Sequence, residues 1–405
     1  MSETHLIARQ PICNTALKVV GFELLYRMNG NQNSAIIDNE DSATIDVLLA
    51  AYNDLSIGDV VGNQPAFINF TSNIIINKLP PLPPKQLVIE LLEGQQVTPE
   101  LIKALKRLRK KGYKIALDDF CLNNETLSLI ECADIIKLDV LDQSPEKWEP
   151  YIPQLTARGI TMLAEKVETY EIYERCKALG FTLFQGYFFS KPKIFSGKKM
   201  SRNEMSVINL LNKLNSVEVN YNEVVQLISA DVGLSYNLLR TINSGMYALP
   251  RKVDSVRQAA ITLGLNHLKN WINLLALGSL DNKPQILINT AMIRAKMCEL
   301  IGEKITRRQA PEEYFTVGLF SIIDAFFDTP LKKLIDKLSL NQEITKALLQ
   351  KEGIIGHTLQ VVIAQEEGNI QEHDIELLKK YGVDYHELNL CYFRSIAWTR
   401  ANKAG

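Results

Sequence analysis

Acidic and amide side chains recur at the ends of short apolar runs in the first half of this 405-residue chain. GFELL carries Glu23, AFINF carries Asn69, LVIEL carries Glu90 and IALDD carries Asp118 and Asp119. IIKLD brings Lys137 and Asp139, TMLAE brings Glu165 with Glu168 just beyond it, and FQGYF brings Gln185. Any one of these acids, taken alone, is ordinarily a cap or a salt-bridge partner, and Lys137 with Asp139 reads by itself as an ordinary surface pair. Recurrence on nearly every run overturns that reading, because an unpaired buried charge is costly and several acids at one rim need a counter-charge. Carboxylates and an amide, with one lysine and no histidine, make a hard-oxygen site that selects Mg²⁺ or Mn²⁺ over zinc or copper. Two such ions held about 3.5–4 Å apart would activate water for in-line attack at phosphorus. Lys137 would offset charge there, or orient a water or a carboxylate.

The elements that must position these residues are strands. Runs at 6–10, 19–25, 66–70, 87–91, 115–119, 135–139, 161–165 and 184–188 alternate with helical patterns at 42–53, 98–111, 124–131, 146–157 and 169–179. Thr169 is placed to cap the last helix and Gly180 to stop it. A hairpin-length turn, CNTALKV, joins the first two strands and makes that pair antiparallel. Eight strands with intervening helices imply a (β/α)8-type barrel with one antiparallel strand, whose site lies at the C-terminal strand ends. An open doubly wound sheet is the second choice, and no Gly-rich phosphate loop supports it.

Composition narrows the class. Hydrophobic content of 46%, charged content of 22% and a net charge of −1 describe an ordinary globular protein with no bulk attraction to DNA or anionic membrane. The six cysteines are scattered without a CxxC, which implies reduced thiols and a cytoplasmic setting. MSETHLIARQ lacks the apolar core of a signal peptide, and no apolar run is long enough to span a bilayer.

GFELLYR (21–27), FINFTS (67–72), VIELLE (88–93), ALDDF (116–120), IIKLD (135–139), LAEKVET (163–169) and FQGYFFSKP (184–192), after RQPI (9–12), together resemble the EAL domain. That family comprises phosphodiesterases that open cyclic di-GMP to linear pGpG with two divalent metals. The resemblance implies metal ligands at Glu23, Asn69, Glu90 and Asp118, with Asp119 in the same shell. It implies that Lys137 positions the hydrolytic water, that Glu165 is the general base and that Glu168 supports the metal loop. Gln185 would contact the active-site network, and Gln10, Pro11 and Arg27 would contact the nucleotide. Three departures stand out: Glu23-Leu24-Leu25 for Glu-Ala-Leu, Lys166 where AEGVE has glycine, and CLNNETLS (121–128) in place of a glycine-rich loop after DDF.

After Pro192 the polar, basic stretch 193–204 reads as a linker, and from Met205 apolar spacings of three and four predict helices at 205–214, 221–231, 234–244, 255–264 and 265–279, continuing to about residue 350. Gly264 and Gly302 read as stops, and the charge-rich tail 366–405 reads as loosely packed. LSYNLLRTINSGMY followed by VDSVRQAAITLG resembles the HDOD domain, a helical relative of the HD phosphohydrolases. GLFSIID (318–324) places Ser321 and Ile322 where that parent family carries its His-Asp metal pair, and His373-Asp374 reads as a chance dipeptide, so this half reads as an interaction or regulatory module without metal chemistry. The expected organisation is an EAL barrel over 1–200 and an HDOD domain over 201–405. The expected activity is a cyclic di-GMP phosphodiesterase using Mg²⁺ or Mn²⁺ that favours motility over biofilm. A protein partner for the HDOD half and a homodimer are further expectations. The competing expectation is a non-catalytic scaffold or cyclic di-GMP sensor, motivated by the replaced loop at 121–128.

Overall fold

The computed structural model describes residues 6–27, 57–77, 82–118, 126–141, 148–192, 202–216, 221–230, 235–236, 238–239, 242–243, 253–280, 283–307, 311–338 and 340–401. Two compact units divide the chain: Met1–Phe189 with Gln365–Asn369, and Ser190–Ala364 with Ile370–Gly405.

In the first unit, β1 (Leu6–Asn14), β2 (Val19–Arg27), β3 (Ala66–Phe70), β4 (Leu87–Leu91), β5 (Lys114–Leu117), β6 (Ile135–Asp139), β7 (Thr161–Glu165) and β8 (Leu183–Gln185) close into a barrel in chain order. β1 runs antiparallel to both β2 and β8, and the pairs from β2 to β8 are parallel. This is the closed barrel with one reversed strand that the apolar runs imply. β4 and β6 are buried at every position, as expected of strands covered on both faces.

The covering helices follow from local chemistry. Thr98 accepts a hydrogen bond from the Leu101 amide, Pro99 opens the helix Pro99–Lys110, and Arg107, Arg109 and Lys110 occupy its last turn, where cations suit the helix dipole. Leu101, Ala104, Leu105 and Leu108 form its buried stripe. Thr169 likewise caps Tyr170–Ala178 through the Ile172 amide, and Gly180 follows with φ of 104°. The predicted helix at 42–53 lies outside the described residues.

The second unit is helical: Arg202–Asn215, Tyr221–Ala230, Val256–Leu263, Leu265–Gly278, Gln285–Thr306, Glu312–Phe320, Gln342–Gln350, Gly353–Glu367, Glu372–Lys379 and Tyr385–Ala401 are its longer described helices. Leu214, Val224, Ile228, Leu238, Ile242, Ala260, Leu268 and Ile272 share one core. Two expectations fail here. Gly302 is interior to Gln285–Thr306, and a Cβ there would sit 2.5 Å from Tyr314 Cγ, so this glycine admits a neighbouring ring instead of ending a helix. The tail is not loose: Tyr385–Ala401 buries Leu388, Cys391, Tyr392, Phe393 and Ile396.

Candidate functional site

Side chains alternate across a strand, so residues two apart share a face. Phe67, Val88, Ala116, Ile135 and Leu163 form one buried layer inside the barrel with Ile12. Two positions further along the same strands stand Asn69, Glu90, Asp118, Lys137 and Glu165, which therefore form the next layer, at the C-terminal mouth. On β2 the same stacking puts Gly21 below Glu23. A Cβ at Gly21 would lie 2.5 Å from the Phe67 ring, so the glycine makes room for the phenylalanine that floors this side of the mouth.

Lys137 is the centre of that polar layer. Its Nζ lies 2.7 Å from Asp118 Oδ1, 3.0 Å from Glu90 Oε1, 3.0 Å from Glu165 Oε1 and 3.4 Å from Glu23 Oε1. Lys137 and Glu90 are both 0% exposed. As the recurrence of acids along the runs implies, Lys137 and Asp139 are not a surface pair: Lys137 is fully buried among four acids, and Asp139 is buried with Lys166 as an ion-pair partner. A desolvated ammonium survives only where carboxylates surround it. Burial works against its charge, yet Glu23, Glu90, Glu165 and Asp118 together hold it protonated well above the ordinary lysine range.

Gln185, on β8, donates from Nε2 to Glu23 Oε2 at 2.5 Å and to Gln10 Oε1 at 2.7 Å, which ties β1, β2 and β8 into the cluster. Asn69 Nδ2 reaches Glu23 Oε1 at 3.5 Å. Pro11 is half-buried on β1 with its Cα opposite Phe22, and Arg27 closes β2 opposite Leu6. Glu168 is exposed, just before the helix that Thr169 caps, and stands outside the group around Lys137. Asp119 lies outside the described residues.

Four carboxylates against one ammonium leave the group net negative. Burial raises the Glu90 carboxyl well above its usual range, Lys137 pulls it back, and Glu23, Asp118 and Glu165 push it up again. The same balance raises Glu165 to about 8: burial first, Lys137 opposing, then Asp118 and Glu23. Glu90 Oε1 is met by the Lys137 ammonium at 3.0 Å, while Glu90 Oε2 and Gln185 Oε1 are buried and accept no hydrogen bond. Excess negative charge with unfilled oxygen acceptors is a donor set that fits a hard divalent cation. The acids close on the ammonium itself, and among the described residues, this cluster included, no three acidic, histidine or cysteine side chains are arranged as a group that could hold a metal ion.

In the helical unit, Ser321 ends the helix Glu312–Phe320 and accepts a hydrogen bond from Arg294 Nη1 at 2.9 Å. Asp374 completes a capping box through the Gln371 amide at 2.7 Å, and His373 beside it is exposed. Asn243 binds the backbone of Val253 in both directions at 2.8 Å, a turn-shaping role.

The chain belongs to the EAL–HDOD proteins: the EAL domain model matches residues 5–192 and the HDOD domain model matches residues 204–343. It is 36% identical over 404 residues to the uncharacterized protein YuxH of Bacillus subtilis (strain 168), covering 97% of each chain. It is 31% identical over 405 residues to the cyclic di-GMP phosphodiesterase CdgJ of Vibrio cholerae, covering 98% of this chain and 93% of that one. Among solved structures, a calcium and cyclic di-GMP complex of Klebsiella pneumoniae BlrP1 is similar at 28% identity with a TM-score of 0.38, covering 47% of this chain and 56% of that one.

Proposed function

We propose that this chain is a cyclic di-GMP phosphodiesterase that opens one phosphodiester bond to give linear pGpG. The observation that carries the reading is the meeting of Glu23, Glu90, Asp118 and Glu165, from four strands, around one buried lysine at the barrel mouth. The name of the Vibrio cholerae relative supports the substrate.

In this reading Glu23, Asn69, Glu90 and Asp118, with Asp119, hold two divalent ions, Mg²⁺ or Mn²⁺. When bound, such ions activate a water and neutralise charge that builds on the phosphoryl oxygens. Glu165 takes the proton of the attacking water. Burial makes its carboxylate a stronger proton acceptor than an ordinary glutamate. Lys137, 3.0 Å from Glu165 Oε1, orients that carboxylate and the water. Glu168 braces the segment after β7, and Gln185 holds Glu23 in place. Gln10, Pro11 and Arg27 line the nucleotide's approach.

The barrel, residues 1–200, does the chemistry, and the HDOD half, residues 201–405, binds a protein partner. Homodimers, a cytoplasmic location and a shift toward motility over biofilm complete the proposal. The described cysteines are free and buried, which suits a reducing compartment. No described helix is long and apolar enough to cross a membrane.

Purified protein incubated with Mn²⁺ or Mg²⁺ and cyclic di-GMP is expected to yield pGpG, and Glu23→Ala or Glu165→Ala to abolish it. Folded wild-type protein that gives no product with metal in excess refutes the enzyme. A second reading, a cyclic di-GMP sensor or scaffold, is favoured by the closure of all four acids on Lys137. Calorimetry separates the two, since binding without turnover identifies a sensor and neither identifies a scaffold.

A further inference from the structure

Asp139 shares the inward parity of Lys137 on β6 and is 3% exposed, so it also needs a counter-charge. Lys166 supplies one: its Nζ pairs with Asp139 Oδ2, while Asp139 Oδ1 accepts the Leu141 amide at 2.8 Å. The donor comes from an unusual place. Lys166 directly follows Glu165, the Cα of Glu165 pairs with that of Asp139 in the parallel register, and Lys166 has a left-handed backbone with φ of 53°. Glycine adopts that conformation freely and lysine does not. Such a conformation persists only where its surroundings hold it, and here the Asp139 ion pair is one of the contacts that do.

The segment it belongs to is held from the other side as well. The Val167 amide donates to Gln185 O at 2.9 Å and the Phe188 amide donates to Val167 O at 3.2 Å. Gly186 is pressed so close that a Cβ would stand 2.2 Å from Val167 O. The end of β7 is therefore fastened to β8 by backbone, and to β6 both by backbone, where the Val140 amide donates to Glu165 O at 3.3 Å, and by the Lys166–Asp139 ion pair. Glu165 sits inside that bracket, and Lys137 stands on the strand it is fastened to.

We propose that Lys166 is a positioning residue for the phosphodiesterase reaction: through Asp139 it fixes the β7 end that aims Glu165 at the site. The role rests on the enzymatic reading above. Lys166 is itself none of the groups assigned to the chemistry.

The test compares wild type with Lys166→Gly, Lys166→Arg, Asp139→Asn and the double variant Asp139→Asn/Lys166→Gly, in Mn²⁺ with cyclic di-GMP. Hydrogen exchange at residues 163–168 and the melting temperature are read alongside. Lys166→Gly is expected to lower kcat about fivefold, with KM within about twofold of wild type. Exchange at 163–168 should quicken while the melting temperature holds or rises, because glycine relieves the left-handed backbone. Lys166→Arg should restore kcat to within about twofold, and the double variant should be no worse than the more impaired single one. Unchanged kcat in Lys166→Gly with an active wild type overturns the inference, as does faster exchange without any loss of kcat, which marks a merely structural pair. If wild type turns over no cyclic di-GMP, the enzymatic reading fails on its own account. The bracket is then decided by exchange alone: non-additive effects of the two substitutions support it, and additive ones overturn it.

Discussion

Replacing Lys137 by methionine removes the only ammonium among four carboxylates while keeping most of the side chain's volume. Oxygens of Asp118, Glu90, Glu165 and Glu23 lie 2.7–3.4 Å from Nζ, and Lys137 is 0% exposed. At an effective dielectric near 20 each contact is worth about 5 kcal/mol in Coulomb terms, but desolvation of the ions offsets most of it. The relevant quantity is the cost of leaving buried carboxylates without their partner, about 3–5 kcal/mol. For a barrel of this size that corresponds to a fall in melting temperature of about 6–20 °C. The carboxylates limit the loss by taking up protons, which Glu90 and Glu165 already favour, so the effect is largest above pH 8 and shrinks in acid. Trp148, buried and edge-on to Phe181 with ring centroids 5.5 Å apart, reports barrel unfolding by fluorescence. In EDTA at pH 8.5, Lys137→Met should melt well below wild type. Millimolar Mn²⁺ should recover more of the loss in the variant than it adds to wild type, because a bound cation replaces the missing charge. A variant that melts within about 2 °C of wild type in EDTA would show that the four acids are not held together against their repulsion, and the site as described would be wrong.

Three further outcomes are expected. In metal-free protein Glu165 holds its proton to about pH 8 when folded but releases it near the ordinary glutamate value of 4.5 when unfolded, so between those limits the folded state binds more protons. Barrel stability should therefore fall as pH rises through that window, by at most about 1.4 kcal/mol per unit, and a rise measured by urea titration in EDTA would contradict the burial assigned to Glu165. Gly186→Ala places a Cβ 2.2 Å from Val167 O at a φ of 141°, so the variant should lose at least about 3 kcal/mol and most of its turnover. Unchanged melting and kcat would sink the clasp between β7 and β8. Gly302→Ala would crowd Tyr314 Cγ at 2.5 Å and Pro311 Cγ at 2.9 Å, costing about 1–3 kcal/mol in the helical unit with catalysis by the barrel intact.

The mouth of the barrel was legible in the sequence because a strand buried on both faces has little reason to carry acid unless the acid emerges at its end. Glu90 after Leu87-Val88-Ile89 and Glu165 after Met162-Leu163-Ala164 are visible on that ground alone, and the structure puts both against Lys137. What a single sequence did not show was which cation serves Asp139. Lys137 and Asp139 two residues apart look like a surface pair, yet shared parity sends both inward, and the ammonium that serves Asp139 comes from the next strand's end. An acid at the same parity as a buried lysine, followed across the crossover by a lysine in glycine's usual place, was the available signal. The helical half was less legible for a different reason. Helices packed on several sides lose the clean stripe that marks an amphipathic surface helix. Tyr385–Ala401 buries Asn389, Ser395 and Thr399 beside its apolar residues, so its pattern reads as polar tail. A buried hydroxyl can be satisfied within its own helix, as Ser395 Oγ is by donating to Tyr392 O at 2.7 Å, so it need not mark a surface. In the barrel a polar residue on an apolar run does mark a site, because a strand has no preceding turn whose carbonyl could absorb it and the side chain must find its partner across the mouth.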